Sequence, residues 1–232
     1  MFSKKLKGLG GLLFTLLILA IVVYVATGPK QPAADSSSAS WLQRGSYSVG
    51  TTEFNFVDDS RSTTENRGFA GSSNRTLNTS IWYPQDLDEA LPLIIHSHGI
   101  MSQGNELANV AERLASHGYV VAAADYPLTN GQTPGGANAS DVTNQPADVS
   151  FLIDSVLTLS IGEKPFIGSI DPNRIGLSGY SLGGLTTVLA TYHPRWRDPR
   201  VKASLSIAGP INVFTSQFYT TSDVPFLGIN GN

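Results

Sequence analysis

The sequence predicts an α/β domain in which a mainly parallel sheet is covered by helices on both faces. Three observations predict it. Short apolar runs without alternation, Leu91–Ser97 (LPLIIHS) and Tyr119–Ala124 (YVVAAA), read as strands buried on both sides. Segments with helical spacing alternate with such runs. One predicted strand leads directly into a predicted helix through a glycine–serine–glycine turn, Gly179-Tyr180-Ser181-Leu182-Gly183.

Each element has its own signal. Ser46–Phe54 and Thr76–Tyr83 are rich in β-branched and aromatic residues and read as strands, with the polar stretch Asp58–Asn74 as the loop between them. Leu91–Ser97 is the third strand. Glu106–His117 has helical spacing through Leu107, Val110, Ala111 and Leu114, and Gly118 stops it. Tyr119–Ala124 is the next strand. Leu128–Gln145, rich in Gly, Thr, Asn and Pro, is a long connection that either covers the site or simply faces solvent. Ala147–Leu159 is a helix, Arg174–Leu177 a strand, Leu182–Tyr192 a helix, and Val201–Ile207 and Pro225–Ile229 are strands. In such sheets the site lies at the carboxyl ends of the strands.

The chain of 232 residues is long enough to bury a sizeable core. Its 15 Lys+Arg against 18 Asp+Glu give a net charge of −3, so there is no basic surplus for phosphates and a nucleic-acid partner is not expected. The absence of cysteine excludes a disulfide scaffold, thiolate metal sites and a cysteine nucleophile. At the N-terminus, Lys4, Lys5 and Lys7 precede an apolar run from Leu9 to Ala26. As a helix that run is about 27 Å long, near the hydrocarbon thickness of a bilayer. Residues 1–27 are therefore expected to form a transmembrane signal anchor, with the rest of the chain on the exported side. The alternative is a cleaved signal, although Tyr24 sits where a cleavage site wants a small residue. Residues 28–40, rich in Pro, Ala and Ser, read as a linker, and 41–232 as the folded domain.

The chemistry is expected on the glycine-flanked serine. In a turn this sharp, side chains at Gly179 and Gly183 would collide with neighbouring elements, and Ser181 is forced into a strained geometry that presents its hydroxyl above the sheet edge. The helix opening at Leu182 points its N-terminus at the place where negative charge would develop. The second element is His96-Ser97-His98-Gly99-Ile100, at the end of the third strand. By position, the backbone N–H groups of Ile100 and Leu182 would form an oxyanion hole. Gly99 lets the backbone approach closely, His98 orients the loop rather than catalysing, and His96 is a hydrogen-bonded core residue.

Three segments resemble a known family: Tyr47-Ser-Val-Gly50 with Asp59 and Arg61 leading to Trp82-Tyr83-Pro84; His98-Gly99 followed by Arg113-Leu-Ala-Ser-His-Gly-Tyr-Val-Val121; and Gly179-Tyr-Ser-Leu-Gly183. They look like the dienelactone-hydrolase-like α/β-hydrolases. That group is close to the platelet-activating-factor acetylhydrolases, the cutinase-like polyesterases and the chlorophyllases. The resemblance covers about Tyr47 to Ile229. It implies a serine carboxylic-ester hydrolase, lipase-like, without metal or organic cofactor, acting on a small-molecule, lipid or polyester ester. Dienelactone itself is a poor guess, because true dienelactone hydrolases use a cysteine and this chain has none.

A hydrolase of this fold needs an acid and then a histidine after the serine. The only histidine after Ser181 is His193, at the far end of the helix the serine opens, roughly 16 Å away. Asp198 falls in a loop at the wrong end of the sheet and Asp223 precedes the last strand. The acid and histidine are therefore expected beyond Asn232, together with a last strand and helix, and this stretch alone is expected to be inactive. Two other readings stay open: a serine peptidase of the same fold, since G-Y-S-x-G-G also occurs in prolyl-oligopeptidase-like enzymes, and a non-catalytic binding protein.

Overall fold

The computed structural model describes residues 15–19, 22–23, 27–28, 32–159 and 168–231. The chain divides into two compact units, Met1–Gln43 and Arg44–Asn232. Most of the apolar run Leu9–Ala26 lies outside the described residues, and so does the expectation of an anchor that rests on it. Among the described residues no helix is long and apolar enough to cross a membrane. Within the stretch read as a linker, Ser37–Trp41 forms a short helix, α1, whose N-terminus is capped by Ser36 accepting from the Ala39 N–H at 3.2 Å.

The second unit is built on a seven-stranded sheet. Its strands are β1 (Val49–Asp58), β2 (Arg75–Pro84), β3 (Ala90–Ser97), β4 (Val120–Asp125), β5 (Ser169–Tyr180), β6 (Val201–Ile207) and β7 (Phe226–Ile229), in the order β1-β2-β4-β3-β5-β6-β7. β2 is antiparallel to β1 and β4, and every pairing from β4 to β7 is parallel. The helices are α2 (Ala108–Ser116), α3 (Gln145–Leu159), α4 (Leu182–Tyr192) and the single turn α5 (Ser216–Tyr219).

β4 shows how the sheet divides its side chains. Val120, Ala122 and Ala124 enter the larger core with Val149, Leu152, Ile153 and Val156 of α3, while Val121 and Ala123 pack with Trp82 against Ala111 and Ala115 of α2. Side chains alternate across a strand, so an uninterrupted apolar run can serve two faces. That is the physical content of the predicted helices on both sides.

Expected boundaries shift where pairing extends an element. β1 runs on to Asp58 because Asn55–Asp58 pair with Arg75–Asn78. β5 starts at Ser169 rather than Arg174, since Ala90 and Leu91 pair with Ser169 and Ile170 before a register shift. The Asp171-Pro-Asn173 turn signal that hid this sits at the irregularity, with the Asp171 carboxylate accepting from the Asn173 N–H at 2.9 Å. The expected helix from Glu106 opens as a 3-10 turn, Gly104–Leu107, before α2 begins. Gly118, at φ 96°, ends α2 as predicted. α4 and β6 fall on their predicted residues.

Candidate active site

β3, β4, β5 and β6 end side by side, and the segments leaving them converge. Ser97 of β3 pairs with Gly179 of β5, and Tyr180 with Ile207 of β6. The next residue is Ser181, with φ 52° and ψ −116°, held by its N–H donating to the Ile207 carbonyl at 2.8 Å. A non-glycine residue there is strained by about 1–3 kcal/mol. The flanking glycines are required by close approach. A Cβ on Gly179 would lie 2.1 Å from the Gly183 carbonyl oxygen, and one on Gly183 would lie 1.9 Å from that of Ser97. Ser181 is half-buried and caps the N-terminus of α4 without a side-chain bond to it, which leaves its hydroxyl uncommitted to the helix.

The loop after β3 is tied at almost every backbone group. The Gly99 N–H donates to Glu106 Oε1 at 2.9 Å, and the Gly99 carbonyl accepts from the Ser102 N–H at 3.1 Å. The Met101 N–H donates to the Thr129 carbonyl at 2.8 Å, with Met101 at φ 63°, and the Ser102 carbonyl accepts from the Gly131 N–H at 2.8 Å. Between these ties, the Ile100 N–H makes no hydrogen bond among the described residues, and neither does the Leu182 N–H on the other side of Ser181. A Cβ built on Gly99 would stand 3.4 Å from the Ser181 Cβ, so the loop lies directly against the serine. Two uncommitted donors on a fixed frame beside a bare hydroxyl suit an oxygen that becomes negative during reaction.

The histidines have other work. His98 is buried, its Nδ1 donates to the Gly99 carbonyl at 2.7 Å, and its Nε2 accepts from the Tyr126 N–H at 3.0 Å. Both nitrogens are thereby committed to backbone groups of the loops after β3 and β4. Burial pushes the His98 pKa down from its ordinary 6.5. The folded protein therefore keeps His98 neutral where the unfolded chain would take up a proton. Stability is expected to fall as pH drops through about 6.5, by up to about 1.4 kcal/mol per pH unit from this group. Melting temperatures of wild type and His98→Gln between about pH 7.5 and 5 check this: the wild type should lose more. Equal slopes would contradict it.

His96 joins Ser178 Oγ at 3.0 Å and Glu106 Oε1 at 3.3 Å, a core position as expected. His117 caps the far end of α2, and His193 caps the far end of α4, stacked on Trp196 with ring centroids 3.8 Å apart. None of the chain's four histidines is placed to take a proton from Ser181. Asp198 is bound to Arg200 at 2.6 Å, and Arg200 also pairs with Asp154, so this stretch is structural.

Several residues around the site carried no readable sequence signal. Glu106 anchors the Gly99 N–H. Burial opposes its charge, but hydrogen bonds from His96, Ser102 and the Gly99 N–H outweigh this and hold its carboxyl below the usual range. Tyr126, buried, meets Ser97 Oγ at 2.7 Å. Behind the loops, Arg75 binds Asp148 through Nε and Nη2 at 2.8 and 2.6 Å and Asp141 at 2.9 and 3.2 Å, with all three side chains buried. Arg61 reaches Asp148 at 2.7 Å and Asp58 at 2.7 Å. An apolar groove of about 450 Å³ runs along the other face of the sheet, beside α2, between Leu93, Ile94, Val110, Leu114, Ala203 and Leu205. Its walls include none of Ile100, Ser181 and Leu182, so it is distinct from the elbow and the loop beside it.

Comparison with known proteins agrees with this architecture. A ferulic acid esterase from Streptomyces cinnamoneus superposes with a TM-score of 0.54 at 24% identity, over 69% of this chain and 59% of that one, which places the fold among the α/β-hydrolases. Hydrolase LUC6 of a Fusarium species is 32% identical over 142 residues, 61% of this chain and 31% of its own. Bis(hydroxyethyl) terephthalate hydrolase of Streptomyces coelicolor is 27% identical over 180 residues, 73% of this chain and 49% of its own. The chain thus spans about a third to a half of the length of these curated relatives. The family model described as PET hydrolase-like (PETase) matches residues 32–232, and with the elbow at Ser181 and the sheet order around it, the chain belongs to that family.

Proposed function

We propose that this chain carries the nucleophile and oxyanion hole of a serine carboxylic-ester hydrolase. The observation that carries the reading is Ser181 at φ 52°, pressed against a tied loop, with two unused N–H donors beside it. Ser181 Oγ attacks the ester carbonyl, and the N–H groups of Ile100 and Leu182 hold the oxyanion. The alcohol leaves, and water then releases the acyl group from the serine. The general base and the carboxylate that orients it come from residues other than the four histidines here. The relatives' names favour ester over peptide substrates, and terephthalate-type diesters are the first class to try. The enzyme acts on the exported side of a membrane, held there by the N-terminal apolar run.

The test is chemical. The complete gene product is treated with a fluorophosphonate probe and digested, and the modified peptide is sequenced. Labelling confined to Ser181, with hydrolysis of p-nitrophenyl butyrate and bis(hydroxyethyl) terephthalate, is expected. Labelling elsewhere, or none, removes the mechanism and favours a binding role. Cleavage of peptide nitroanilides in preference to esters would favour a peptidase.

A further inference from the structure

The two oxyanion donors belong to different elements: Leu182 opens α4, and Ile100 sits in the loop after β3. Their separation must be fixed by something other than chain connectivity. One buried side chain spans the gap. Gln145, the first residue of α3, is fully buried. Its Oε1 accepts from the hydroxyl of Thr186, which stands one turn into α4 and also reaches the Leu182 carbonyl at 3.3 Å. Its Nε2 donates to Thr129 Oγ1 at 2.8 Å, and the carbonyl of Thr129 accepts the Met101 N–H at 2.8 Å. Thr129 and Thr186 are also fully buried. The line Leu182–Thr186–Gln145–Thr129–Met101–Ile100 thus joins one donor to the other, and its two central hydrogen bonds, on either side of Gln145, are buried.

Gln145 is itself held in place. Asp141 and Asp148, either side of it in sequence, are both clamped by Arg75. The clamp fixes the backbone at the start of α3, and the two threonines hold the amide itself. A side-chain amide suits this position because it can accept from one hydroxyl and donate to the other at the same time.

We propose that Gln145 is a positioning residue that sets the spacing of the oxyanion hole, with Thr129 and Thr186 as its two ends. The proposal rests on the ester-hydrolase reading above. Misplacing such donors by about 1 Å costs on the order of 10²-fold in rate. Substrate binding elsewhere in the site is untouched, so the loss falls on kcat.

The experiment uses the complete gene product and p-nitrophenyl butyrate. Gln145→Met keeps about the same length but can neither accept from Thr186 nor donate to Thr129. It is expected to lower kcat about 10- to 100-fold with KM within about twofold, and to slow fluorophosphonate labelling of Ser181 in proportion. Should that variant fold poorly, Thr129→Val breaks the Thr129 link from the other end, and Thr129→Ser, which keeps the hydroxyl, should restore most of the rate. Combining Gln145→Met with Thr129→Val should cost no more than Gln145→Met alone, because that change already removes the Thr129 link. Wild-type kcat in Gln145→Met or Thr129→Val, or additive losses in the double variant, overturns the proposal alone. A wild type without Ser181-dependent hydrolysis overturns it together with the ester-hydrolase reading.

Discussion

Ser181→Ala in the complete gene product is expected to bring ester hydrolysis down to background, a loss on the order of 10⁶-fold in kcat. The size follows from the chemistry. On the proposed mechanism no acyl-enzyme forms without the hydroxyl, and the N–H groups of Ile100 and Leu182 can then assist only direct attack by water. Folding should survive, because the Ser181 side chain makes no bond to the helix it caps. Strain supplies an independent check. At φ 52° and ψ −116° the serine backbone is in a region open chiefly to glycine. Ser181→Gly should therefore be as inactive as Ser181→Ala yet more stable than wild type, by about 1 kcal/mol in urea unfolding. Hydrolysis by Ser181→Ala at a sizeable fraction of the wild-type rate would remove the serine from the mechanism. A Ser181→Gly variant less stable than wild type would show that the turn stores no strain.

Arg75→Met is expected to be the most damaging single change to stability. It leaves the carboxylates of Asp141 and Asp148 buried without their shared cation, and only Arg61, partly exposed, still reaches Asp148. Removing one partner of a buried ionic cluster costs about 3–5 kcal/mol, a large part of the 5–15 kcal/mol that typically holds a domain together. The cluster is tight: burial works against the Arg75 charge, but its hydrogen bonds to the Asp148 and Asp141 carboxylates more than offset it and keep the guanidinium protonated far above neutral pH. Arg75→Lys should recover little, since an ammonium cannot meet two carboxylates with paired donors. Arg75→Met combined with Asp141→Asn and Asp148→Asn should recover more, because no charge is then left unpaired. Urea unfolding of the three variants checks the order. An Arg75→Met protein within about 1 kcal/mol of wild type would mean that water reaches these carboxylates.

Much of the fold was legible because its signals are local. α4 and β6 were readable to the residue, and β4 announced burial on both faces with five apolar residues in succession. The elbow was legible for the same reason: the close approaches that demand glycine at 179 and 183 are made by a turn of a few residues. Glu106, Gln145 and the Arg75 cluster were not. Glu106 has the appearance of any acidic residue in a first helical turn. Gln145 was read as the end of a polar connection, yet its partners Thr129 and Thr186 lie 16 and 41 residues away.

By itself the sequence determined that Ser181 sits at a glycine-flanked turn between a strand and a helix and which strands bury both faces, because spacing and the sterics of a tight turn act between near neighbours. Only the tertiary structure decided which buried polar groups pack around that turn. Arg75 meets Asp148 across 73 residues of chain, and Gln145 joins two elements that never touch in sequence. Such partners are chosen by the stacking of α3 against the sheet and α4, and a buried polar group keeps whichever partner that packing brings within reach.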